Sequence, residues 1–115
     1  MNTITVLSGP GGEVRIGDEH PFAIIGERIN PTGRKGLTEQ ITVGDMTMVK
    51  ADALAQVEAG ARVLDLNAGV PGFDEPMMLS QIVRAVHEVV DFQPRGCGPV
   101  VLDLELLHCF DVIRL

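Results

Sequence analysis

Apolar residues along this chain recur first at every second position, then at helical spacing, and then at every second position again. Residues 3–18, TITVLSGPGGEVRIGD, hold two short alternating segments around Gly9, Pro10, Gly11 and Gly12. Alternation on both sides of a Gly-Pro turn predicts a β-hairpin. The rival is a glycine-rich phosphate loop, but that needs a helix directly after the glycines and usually a lysine. The residues that follow, EVRIG, are strand-like.

Phe22–Ile29 reads as a strand, with Phe22, Ala23, Ile24 and Ile25 expected in the core. A polar loop follows, and Asp45 is placed to cap a helix running to Gly60. Met46, Val49, Ala53 and Val57 recur at helical spacing, and Gly60 supplies the stop. Arg62–Asn67 predicts a second strand. Asp74, Glu75 and Pro76 then open a helix with a capping carboxylate and an early proline. That helix reaches about Val90, with Leu79, Ile82, Val83, Val86, Val89 and Val90 on one face. A third strand is expected around Pro99 to Leu104.

Hairpin followed by β-α-β-α-β implies an α/β fold with a parallel sheet. The lengths suit about three β/α units of a TIM (β/α)8 barrel, incomplete in this chain, with an open doubly wound sheet as the other architecture. No Gly-x-Gly-x-x-Gly follows the first strand, which counts against a dinucleotide site.

The 115 residues suffice for one small domain, and 45% hydrophobic with 22% charged residues is ordinary globular composition. A net charge of −7 argues against nucleic acid as the main partner. The absence of Trp and Tyr weakens any base-stacking surface. Arg28, Arg34 and Lys35 form a local basic patch suited to one anionic group of a small ligand. No apolar run reaches the roughly 20 residues of a membrane span. No basic segment with an apolar core opens the chain, so a cytoplasmic location is the expectation. Cys97 and Cys109 read as reduced thiols. His20, His87 and His108 are too scattered for a metal triad, so no metal site is expected. Met46, Met48, Met77 and Met78 sit at helix starts and read as packing.

Polar residues cluster where strands end, which is where parallel α/β folds bind ligands. Asp65 and Asn67, two apart in VLDLNAG, project to the same side of their strand, with Leu64 and Leu66 on the other. Taken alone, the pair also fits a satisfied structural carboxylate and a turn asparagine. The preceding strand, however, ends the same way, with Glu27, Arg28 and Asn30 ahead of Pro31-Thr32-Gly33. Burying such groups without partners costs about 1–3 kcal/mol each, so packing alone explains two such ends poorly.

IGERINPTGRK followed by GARVLDLNAGVPGFDEP resembles the pterin-binding family of β/α barrels. The likeness is greatest to methyltetrahydrofolate:corrinoid methyltransferases and the folate domain of cobalamin-dependent methionine synthase, and it spans roughly Val6 to Asp91. The resemblance implies that Asn30, Asp65 and Asn67 line a pterin pocket, with Glu27 and Arg28 supporting it. It implies methyl transfer from N5 of methyltetrahydrofolate to a corrinoid (cobalamin) carried by a partner domain or protein. Protonation of N5 improves the leaving group, and positioning does the work without a covalent enzyme intermediate. A homodimer is left open, and no catalytic residue is assigned, because the group expected at N5 belongs to later strands of the family.

Residues 92–115 diverge from the family pattern. Asp103 in VVLDLELL stands where a third-strand pterin aspartate would, yet Leu104 and Glu105 follow where the family has serine and small polar residues. The rival is a frame-shifted tail. A full barrel takes about 250 residues, so the expectation is a partial pterin-binding domain over 1–115 that is inactive alone. A dihydropteroate synthase-like enzyme and a non-catalytic truncated remnant are the alternatives.

Overall fold

In a computed structural model the described residues are 4–9, 12–90, 100–103 and 113–114. Among the described residues the fold is mixed α/β, with three helices and two small sheets. Strands β1 (Thr5–Gly9) and β2 (Gly12–Ile16) pair antiparallel with Leu7 opposite Val14, as the alternation predicts. Strand β6 (Ile113–Arg114) adds to the other side of β1. No periodic signal in the sequence anticipates it.

The second sheet is parallel, in the order β3-β4-β5. Its members are β3 (Ile24–Gly26), β4 (Ala61–Leu66) and β5 (Val100–Asp103). Between β3 and β4 lie α1 (Lys35–Thr42) and α2 (Thr47–Glu58), and α3 (Glu75–Val90) joins β4 to β5.

Strand β4 divides the apolar residues between two layers. Leu64 and Leu66 enter the main core with Leu37 and Ile41 of α1, Val49 and Ala53 of α2, and Leu79, Ile82, Val86 and Val90 of α3. Val63 joins Leu7 and Val14 of the hairpin instead. The hairpin therefore covers the sheet face opposite the helices, and β4 is buried on both sides, as parallel strands require.

Helix boundaries follow identifiable local chemistry. The Asp74 carboxylate accepts from the Met77 N–H at 3.2 Å and starts α3, with Pro76 in the first turn. Gly60 (φ +106°) closes α2, its N–H donating to Val57 O at 3.0 Å. Asp45 Oδ1 accepts from the Thr47 N–H at 3.0 Å and the Thr47 hydroxyl at 2.6 Å just ahead of α2.

Three expectations need correction. The stretch read as a polar loop after β3 contains α1, whose buried residues are the i,i+4 pair Leu37 and Ile41. Its Gln40 side chain accepts from the Met48 N–H at 2.9 Å and so helps cap α2. Of Phe22–Ile25, three residues are not core: Phe22 is 101% exposed, Ile24 54% and Ile25 44%, while Ala23 is partly buried against Leu7, Val14 and Val63. Strand β3 is the edge of its sheet, and among the described residues only β4 pairs with it. Strand pairing is also shorter than the predicted Phe22–Ile29, ending at Gly26. Among the described residues no helix is long and apolar enough to cross a membrane.

Candidate functional site at the strand ends

Beyond Gly26 the chain leaves regular strand but stays against β4. The Asn67 N–H donates to Ile29 O at 3.0 Å, so the ends of two neighbouring parallel strands are bonded directly to each other. Ile29 itself is fully buried in the helix-side core, which anchors the segment. Asn30 and Asn67 therefore sit within one residue of a shared hydrogen bond, at the carboxyl end of the sheet.

Each asparagine shapes its own turn. Asn30 Oδ1 accepts from the Thr32 N–H at 3.0 Å, and Asn67 Oδ1 accepts from the Gly69 N–H at 2.7 Å. These local bonds end the strand geometry on both sides. They commit the carbonyl oxygens and leave the amide Nδ2 groups as donors, without acceptors among the described residues. Asp65 is half-buried, and its Oδ1 is screened from solvent. Leu64 and Leu66, on either side of it, point into the helix-side core, so Asp65 faces the way Val63 does. Asp103 ends β5 in register with Leu66; its side chain lies outside the described structure.

The supporting pair separates. Glu27 is exposed and takes no hydrogen bond among the described residues. Arg28 is held by α2: its N–H donates to Gln56 Oε1 at 3.0 Å and its Nε to Asp52 Oδ1 at 3.2 Å. Arg34 Nη1 donates to the other Asp52 oxygen at 2.7 Å and to Arg28 O at 2.7 Å. The basic patch expected from Arg28, Arg34 and Lys35 is thus partly neutralised by one carboxylate, and Lys35 alone of the three makes no ion pair among the described residues. Neither Asp52 nor Gln56 was singled out by motif. Their i,i+4 spacing on α2 was the available signal, since it places two polar groups on one helix face.

Gly26 makes this approach feasible. A Cβ there would lie 2.8 Å from Gln56 Cδ and 3.0 Å from Leu64 Cδ2. The absence of a side chain lets α2 close onto the end of β3.

Three clefts are formed elsewhere. One of about 450 Å³ lies between the start of α2 and α3, lined by Asp45, Lys50, Arg84 and Glu88. Two others meet at His20, Pro21, Phe22 and Ala23. None of the three includes Asn30, Asp65 or Asn67; of the strand-end groups Asn67 is exposed, and Asn30 and Asp65 are half-buried. Among the described residues no three His, Cys, Asp or Glu gather as metal ligands. His108, Cys97 and Cys109 lie outside the described residues. No family model matches the chain.

Proposed function

We propose that the described units are the opening part of a β/α barrel and that the ends of β3 and β4 bind the pterin edge of methyltetrahydrofolate, for methyl transfer to a corrinoid. The observation that carries this reading is the Ile29–Asn67 hydrogen bond, which holds Asn30 and Asn67 side by side with Asp65 one step below. Two amide donors and one carboxylate acceptor match a heterocycle whose edge alternates acceptors and donors. A site built this way rejects analogues that lack the polar edge.

In this reading the chain's own residues bind and orient. Asp65 accepts from the ring's N–H groups, and the Asn30 and Asn67 amides donate to its oxygen and nitrogen acceptors. The corrinoid, on a partner protein or domain, supplies a reduced cobalt nucleophile for the N5-methyl group. Asp103, at the end of β5, would extend the same row. The setting that fits this chemistry is cytoplasmic.

Calorimetric titration with methyltetrahydrofolate tests the reading. Heat of binding that is lost in Asn30→Ala and Asp65→Ala is expected; folded protein that releases no heat refutes it. The dihydropteroate synthase-like alternative needs a loop that grips phosphate, and Arg34 is instead bonded to Asp52. The exposure of Phe22, Ile24 and Ile25 favours a second reading, a remnant that does not fold alone. A cooperative thermal transition of a monomer, followed by circular dichroism, would dismiss it.

A further inference from the structure

The segment that carries Asn30 is fastened to α2 at both of its ends. Arg28 lies two residues before Asn30 and Arg34 four after it, and both guanidinium groups reach Asp52, one on each carboxylate oxygen. They are not equivalent. Arg34, 23% exposed and at 2.7 Å, is the anchor. The Arg28 side chain is 62% exposed and sits at 3.2 Å, so its backbone bond to Gln56 is the firmer hold. Gln56 Nε2 in turn donates to Asp52 O at 3.1 Å, one helical turn away, which ties the two α2 residues together.

Arg34 Nη1 also bonds to Arg28 O across the loop, so one cation closes the turn and pins it to the helix. The side chain of Asp52 is only 13% exposed, and its negative charge offsets the repulsion between the two guanidinium groups that both reach it.

We propose that Asp52 is a positioning residue: through Arg34 and Arg28 it fixes the 27–34 loop so that Asn30 is presented beside Asn67 for a ligand at the strand ends. Asp52 itself faces the loop's arginines, not the ligand. The identity of that ligand rests on the folate reading, whereas the clamp does not.

The test uses Asp52→Asn, which keeps the shape and removes the charge, and Asp52→Glu, which keeps the charge. Two quantities are measured on the 115-residue chain. The first is hydrogen exchange of residues 27–34 against residues 75–90 of α3. The second is affinity for methyltetrahydrofolate. Asp52→Asn is expected to speed exchange in 27–34 and weaken the ligand, each by about tenfold, the usual scale for losing a charge-assisted hydrogen bond. Exchange in α3 stays as in the wild type, and Asp52→Glu recovers most of both losses. Unchanged exchange in the loop overturns the proposal. So does faster exchange in loop and α3 alike, which would make Asp52 a general stability residue, and so does faster loop exchange with affinity intact. If the wild type binds no methyltetrahydrofolate, the folate reading falls and the loop-specific exchange alone decides the clamp.

Discussion

Gly26→Ala is the sharpest probe of how α2 meets the end of β3. The added methyl group would lie 2.8 Å from Gln56 Cδ and 3.0 Å from Leu64 Cδ2. The flexible Gln56 end can swing aside, but only by giving up its bond to the Arg28 N–H. That loss costs about 0.5–1.5 kcal/mol. Leu64 is fully buried and must shift as well, at about 1 kcal/mol, the low end for overpacking. Alanine returns about 0.5–1 kcal/mol over glycine in a strand. The net expectation is a destabilisation of about 0.5–2 kcal/mol. With no Trp in the chain, urea unfolding is best followed by far-ultraviolet circular dichroism. The decisive control is Gln56→Ala, which removes both the obstruction and the bond beforehand. In that background Gly26→Ala should cost about 1 kcal/mol less, because only the Leu64 crowding remains. A Gly26→Ala protein as stable as the wild type, or an equal cost in both backgrounds, would refute the proposed contact.

Leu64→Ala removes a side chain buried between the sheet and the helices and should destabilise by about 2–5 kcal/mol in the same urea assay. Glu88→Ala breaks a surface pair with Lys50 and should change stability by less than about 1 kcal/mol. The Thr47 hydroxyl and N–H hold Asp45 below its ordinary carboxyl pKa of 3.8. Its contribution is therefore fully present above that value and is lost as pH falls through the lower folded pKa. Asp45→Ala should remove that part of the acid dependence, and an unchanged difference in stability between neutral and acid pH would contradict the assignment.

Much of the fold was legible because its signals are local. Val63, Leu64 and Leu66 form a dense apolar run, and the α3 face repeats at helical spacing behind the Asp74 cap. Helix α1 escaped because a glycine, Gly36, stands in its first turn and only Leu37 and Ile41 carry its apolar face, too short a pattern to separate from a loop. The exposure of Phe22, Ile24 and Ile25 could not be read from hydrophobicity, since an edge strand and a central strand share the same composition. The strand-end residues were found from their spacing and a family resemblance. Asp52 and Gln56 were not, because their loop partners lie 18 to 28 residues away in the chain, and no local pattern encodes such a distance.

Whether the ends of β3 and β4 form one recognition surface can be decided by amide spectra of the ¹⁵N-labelled protein during addition of methyltetrahydrofolate. Saturable shifts confined to the amides of Asn30, Thr32, Asn67 and Gly69 and their neighbours are expected, and they should vanish in Asp65→Ala. Spectra of folded protein that stay unmoved, or shifts centred instead on the cleft at His20 and Phe22, would contradict it.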